Sequence, residues 1–229
     1  MSTETEVSSY KERMQLLISL DELCQDIGKN LIHNEPESPT GDYCKQLIWT
    51  IGPATRMLVW GLENAQKMAA MNGLRTLLEN WANANYVFRA GKRGKEYYIE
   101  GMGATAHQYR DAFHELRDDS SQGIKKLTRI PKWTGCGLTD RIKKLGDGPE
   151  FQYEYLSRYV HADVWATLNE FDIKDQAYMR GELLGWGIEF INHTLWLMSE
   201  ENLIGDDLQS KIGSMNDRVS EIIANEGKE

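Results

Sequence analysis

The chain has 229 residues, is 41% hydrophobic and 27% charged, and carries a net charge of −9. That length and composition suit one globular domain with a sizeable core. The acidic balance argues against a dedicated nucleic-acid coat, because phosphate binding needs a basic field.

Nearly every segment has helical period. Tyr10, Met14, Leu17, Cys24, Ile27 and Leu31 recur at three- and four-residue steps and predict a first helix over residues 8–32. The proline-bearing stretch 34–41 reads as a loop, with Thr40 and Asp42 as caps for a second helix that begins near Asp42. Pro53 removes a backbone donor and should kink that helix or start a new segment. A third helix is predicted over 64–90, ended by Gly91 and Gly94, and a fourth from Lys95 into Ser121. A basic linker follows, then a short helix 138–145, a helix 149–162, a loop, a long helix 174–200 and a polar helix 206–225. Trp133-Thr134-Gly135 in the linker reads as a tight turn with its indole packed inward. The expected architecture is a single domain, 1–229: an all-α antiparallel bundle of about seven to eight helices. It has an N-terminal helix 8–32, a core 42–200 and an acidic C-terminal helix at 206–226.

The most apolar window, Leu183–Met198, contains Glu189, Asn192 and His193 and is too short and too polar to span a bilayer. It reads as a buried central helix. The N-terminus is acidic and polar, with no visible signal peptide. Cys24, Cys44 and Cys136 are an odd set without C-x-x-C spacing. That argues against a disulfide framework or structural zinc and fits a reducing cytoplasm.

Charge is unevenly placed. Residues 1–42 hold nine acids against three bases and residues 199–229 eight against three, leaving 20 bases against 18 acids, or +2, between them. Within that middle, 123–145 has seven bases and one acid. Arg89, Lys92, Arg93 and Lys95 form a second basic cluster. The pattern leaves room for a small anionic site, but solvated loop charge is the favoured reading.

Three polar constellations stand out. On the third helix Asn72, Arg75, Glu79, Asn83 and Tyr86 fall in one narrow stripe at 100° per residue. Leucines and Trp81 flank the stripe, and Arg75 and Glu79 can pair along the helix. A buried arginine needs a carboxylate, so Arg75 and Glu79 are expected to meet His161 in one partly buried pocket. On the helix 149–162, Ser157 and His161 lie one turn apart, with Tyr155 and Arg158 beside them. A hydroxyl within reach of an imidazole can be a nucleophile–base pair, and a core histidine held by Ser or Tyr has the same spacing. On the fourth helix Glu100, His107, Asp111 and His114 share a face. Asp111-x-x-His114 is the one Asp/Glu-x-x-His pair, fewer than a di-metal bundle uses, and the face continues into Arg117 and Asp118 as a solvated face would. No metal and no cofactor is expected. No glycine-rich phosphate loop, nucleophile elbow or zinc-protease motif occurs.

The order Leu74-Arg-Thr-Leu-Leu-Glu-Asn-Trp-Ala-Asn-Ala-Asn-Tyr86, Trp133-Thr-Gly, Leu145-Gly146 and Tyr155-Leu-Ser-Arg-Tyr-Val-His161 resembles a bacterial all-helical family. That family is catalogued as a domain of unknown function, number 5677, and the resemblance covers residues 45–200. It implies a helical fold in which Arg75, Glu79 and Tyr86 approach Ser157 and His161, and it implies no activity. A role in stress, phage defence or mobile elements follows by analogy with the family alone. Arg158-x-x-His161 also resembles the Arg/His pairs of metal-independent HEPN ribonucleases, but those pairs are more widely spaced than the two-residue gap here.

Three readings follow. The leading one is a cytoplasmic bacterial protein that binds a protein partner or small molecule through Arg75, Glu79, Asn83, Tyr86 and Tyr155, with no membrane contact. The second is a divergent ribonuclease acting on RNA through Arg158, His161 and Ser157. The third is a structural module whose polar residues fix helix register and whose terminal helices mediate homo-oligomerisation.

Overall fold

Apolar residues at helical spacing shape the whole chain. The computed structural model describes the backbone of residues 3–34, 38–129, 137–160, 173–201 and 204–226, and all of their regular structure is α-helix. The protein is an all-α bundle. Among the described residues the helices are α1 (Thr3–Asn34), α2 (Pro39–Glu63), α3 (Lys67–Phe88), α4 (Lys92–Asp118), α5 (Ser120–Arg129), α6 (Leu138–Lys143), α7 (Asp147–Val160), α8 (Ile173–Ser199) and α9 (Asp206–Glu226). None is long and apolar enough to cross a membrane.

The core is built by α1, α2, α3 and α8. Gly187 of α8 lies where Leu17 of α1, Leu58 of α2 and Leu74 of α3 converge. Leu16, Leu17, Leu20, Ile27 and Leu31 are fully buried, so α1 is part of this core rather than an appendage beside it. Arg13 ties α1 to α8 by donating from Nη1 to the Gly181 carbonyl at 2.6 Å. Helix α9 lies across α8 and α1 and buries Leu208, Ile212 and Val219. Among the described residues, both terminal helices thus turn apolar side chains into the core.

Several boundaries differ from the sequence expectation, each for a local reason. The cap of α2 is Ser38, whose Oγ accepts from the Gly41 amide at 3.0 Å, rather than Thr40 or Asp42. Pro39 then takes the first turn, where no amide donor is needed. No new segment starts at Pro53, because its missing donor falls on the solvent-exposed side of α2. Between α2 and α3 the chain makes a short turn, in which Ala65 adopts φ 52°, so α3 starts at Lys67 and not at residue 64. The largest miss is α5, which occupies the expected basic linker and brings the described helices to nine. Asp119 starts it by accepting from the amides of Ser121 at 3.0 Å and Gln122 at 3.2 Å. Helix α5 folds back on α4 so closely that a Cβ on Gly123 would lie 2.4 Å from the Leu116 Cα. The Trp133-Thr134-Gly135 turn lies outside the described residues.

Helices α6 and α7 both pack on α3. Lys67 sits over the Tyr159 ring at 4.1 Å and Arg75 over the Tyr153 ring at 5.3 Å. Helix α7 therefore runs antiparallel to α3, and its start meets the C-terminal half of α3.

Candidate functional site

Arg75 is fastened by its own surroundings. Its Nε donates to Glu79 Oε1 at 2.8 Å, one turn along α3, and its Nη2 donates to Tyr153 Oη at 3.3 Å on α7. Burial works against the charge, yet Glu79 and Tyr153 together hold the Arg75 pKa above its ordinary value. The i, i+4 pair was legible from spacing, whereas Tyr153 is a tertiary partner that no local pattern reveals. This arrangement fixes the register of α7 on α3.

The rest of the stripe does not converge on one point. Tyr86 lies about 16 Å further along α3 than Arg75. It donates to Tyr98 Oη of α4 at 3.1 Å, and Lys144, just past α6, covers its ring at 4.8 Å. Ser157 lies at the other end of the contact, since α7 passes Tyr153 beside Arg75 and reaches Tyr159 beside Lys67. The expected approach of Tyr86 to Ser157 is therefore absent. Asn72 turns back on its own helix and donates to the Met68 carbonyl at 2.9 Å. Asn83 Oδ1 and Ser157 Oγ are buried and find no hydrogen-bond partner among the described residues. Arg158 is exposed on α7. His161 lies outside the described residues, and with it the expected pocket with Arg75 and Glu79 and the pairing with Ser157. Glu100, His107, Asp111 and His114 are all exposed on α4, and no group of metal-binding side chains occurs among the described residues.

A different cluster gathers beside Tyr155. Helices α7 and α8 both pack on α3, yet among the described residues none of their Cα atoms approach within 8 Å of one another. Long side chains span the space between them. Tyr155 meets Trp186 edge to face, with centroids 5.8 Å apart at 89°. The Gln152 side chain lies near the Glu189 carboxyl. Phe151, Tyr155 and Tyr159 form a row along α7, with centroids 6.4 and 5.1 Å apart. One turn beyond Glu189, the His193 ring stacks on Trp81 of α3 at 4.6 Å and 10°. Among the described residues, an aromatic cluster thus gathers over α3 between α7 and α8, beside a polar strip of Gln152, Glu189 and His193. Glu189 and His193 were visible in the sequence only as interruptions of the most apolar window. Their i, i+4 spacing on an otherwise apolar helix was the available signal.

The electrostatics of the strip favour neutral groups. Burial pushes the Glu189 carboxyl above the usual carboxylate range, partly opposed by the nearby Gln152 side chain. Burial likewise pushes the His193 imidazole down. Their 3.9 Å separation exceeds hydrogen-bond length, and an imidazole held neutral makes no ion pair with the carboxyl. Burial also raises the Tyr155 hydroxyl, with the Tyr159 hydrogen bond adding to it, so Tyr155 stays an uncharged donor or acceptor. Because the folded Glu189 value is raised, its contribution to stability is full below about pH 4.3 and is lost as pH rises through the folded value. His193 has the opposite sign: its contribution is full above about pH 6.5 and is lost as pH falls through its lowered value. Glu189→Gln is therefore expected to raise the melting temperature relative to wild type more at neutral pH than at pH 4, as measured by thermal denaturation across that range.

Searches against protein-family models, curated proteins and solved structures return no match to this chain.

Proposed function

We propose that this chain is a cytoplasmic binding protein whose α7–α8 cluster takes a small neutral ligand or a partner segment of like chemistry. The observation that carries this reading is the pair of helices that share a floor on α3 and meet through the Tyr155–Trp186 edge-to-face contact. An edge-to-face aromatic corner accepts a flat or apolar body. The partly exposed Glu189 carboxyl and His193 imidazole, both shifted by burial toward their neutral forms, add hydrogen-bonding groups beside that corner. Arg75 and Glu79 support the cluster from outside, by seating α7 through Tyr153. The buried thiols Cys24 and Cys44 accord with a reducing compartment.

The test is calorimetry with a panel of neutral aromatic heterocycles. Wild type is expected to bind members of the panel, and Glu189→Ala and Trp186→Leu are expected to weaken binding at least tenfold while keeping a helical circular-dichroism spectrum. Binding that both variants retain overturns the reading. RNA cleavage without metal that Arg158→Ala abolishes would move the function to the end of α7.

A further inference from the structure

Helix α4 outruns the bundle that holds its start. Its N-terminal half is anchored by Lys95 against Glu201, by Tyr98 against Tyr86 and by Ile99 in the core. From Gly103 to Asp119, by contrast, only Thr105 and Ala112 are buried, and Ala112 is no part of the main core. Helix α5 supplies the cover there. It lies back along α4 with Gly123 against Leu116 and with Lys126 paired to Glu115 at 2.6 Å.

At 100° per residue Met102, Ala106, Tyr109 and Phe113 form one row on α4, all within about 40° of Phe113. Tyr109 is 45% exposed and Phe113 58%. The Lys126–Glu115 pair marks one side of the seam between the two helices. Glu115 lies about 160° around α4 from Phe113, and Ile124 about 160° around α5 from Lys126. Ile124, 55% exposed, therefore comes to the side of Tyr109 and Phe113. The arm thus carries an apolar face shared by two antiparallel helices, about 16 Å long from Met102 to Phe113.

Charge is sorted around that face. Arg110 and Arg117 border it, within about 60° of Phe113, and both are exposed. Arg110 Nη2 lies 2.9 Å from His107 Nδ1, a ring nitrogen and not a carboxylate. Arg117 Nε reaches Asp118 Oδ1 at 3.4 Å, but both side chains are more than 70% exposed, and such a pair contributes little. The acids of this half of α4, Asp111, Glu115 and Asp118, lie about 140–160° from Phe113. Asp119 caps α5, and α5 itself carries bases and no acid. A second copy docked here would set base against base, because neither rim offers it a carboxylate. Two arginines do not make the continuous basic track that a nucleic-acid strand requires. Two helices with one open apolar seam accept a third helix, and the rim selects one whose own apolar stripe is flanked by carboxylates.

We propose that the α4–α5 arm docks an acidic amphipathic helix of a partner protein along the Tyr109–Phe113–Ile124 face. Those three side chains supply the apolar contact, and Arg110 and Arg117 pair with the flanking carboxylates. The inference is independent of the α7–α8 cluster.

Fluorescence anisotropy of two labelled helical peptides with the full chain tests it. Both peptides have leucines at i, i+3, i+4 and i+7. One carries glutamate on both flanks of that stripe, and its twin carries lysine. The glutamate peptide is expected to bind and the lysine twin to bind at least about tenfold more weakly, with the difference shrinking at high salt. Phe113→Ser should weaken the glutamate peptide at least about tenfold. Because Phe113 is exposed, the helical circular-dichroism spectrum should stay unchanged. Arg110→Glu together with Arg117→Glu should reverse the preference between the twins. Trp60→Glu on the exposed side of α2 and Trp186→Leu in the α7–α8 cluster should leave binding as it is. A glutamate peptide that does not bind overturns the proposal. So do equal affinities for the twins, a preference that survives the double charge reversal, or a loss that follows Trp60 or Trp186 instead of Phe113. A Phe113-dependent preference for single-stranded RNA or anionic vesicles over the peptide overturns it as well.

Discussion

Gly73→Ala is expected to lower stability by about 3 kcal/mol, or roughly 10 °C in melting temperature for a chain of this size. A Cβ at residue 73 would lie 2.6 Å from the Ala54 carbonyl oxygen and 2.8 Å from the Leu58 amide nitrogen. Both are backbone atoms of α2, so relief requires the two helices to move apart. Gly61 presents the same problem from the other helix, with its Cβ 2.5 Å from the Ala70 amide nitrogen. These two glycines set how closely α2 and α3 approach. Gly187→Ala makes a useful contrast. Its nearest atom, at 2.6 Å, is the Cδ2 of Leu58, the end of a side chain that can rotate. Thermal denaturation of the two variants should therefore show a markedly larger drop for Gly73→Ala.

Trp81→Ala is expected to cost about 3–5 kcal/mol. The indole is 9% exposed, stacks on Phe190 at 5.9 Å and carries the His193 ring at 4.6 Å. Removing it leaves a cavity between α3 and α8 and strips the imidazole of the surface that desolvates it. Trp81→Ala should thus combine a large loss in denaturant midpoint with a rise in the His193 pKa toward its ordinary value, read from the imidazole resonance by NMR. A loss of stability with no change in the His193 titration would show that Trp81 is core alone and sets nothing in the cluster.

The helices themselves were legible because buried leucines repeat at the helical period on α1, α2, α3 and α8, where one face of each meets the core. Helix α5 was missed because Lys125 and Lys126 drew attention as charge, while its start signal, Asp119 followed by two serines, is a single capping side chain. The new segment expected as one outcome at Pro53 does not occur, because period alone does not say which face of a helix meets water.

The site was harder. Arg75 and Glu79 form a local pair and were visible as one. Tyr86 shares their stripe yet belongs to a different contact, with Tyr98 and Lys144, because a stripe long enough to cross several neighbours need not face one of them. Glu189 and His193 gain their character from burial, which for His193 comes with the Trp81 stack on another helix. Burial of that kind is a property of packing and leaves little trace in a single helix.

Indole ¹H–¹⁵N resonances measure most directly whether the α7–α8 cluster is a binding site, because each tryptophan reports its own part of the molecule. On addition of a bound neutral heterocycle, the Trp186 resonance is expected to shift most, with Trp81 following through the His193 stack and with Trp49 and Trp60 unmoved. Shifts confined to Trp49 and Trp60, or a bound ligand that leaves Trp186 unchanged, would contradict the assignment of binding to the cluster.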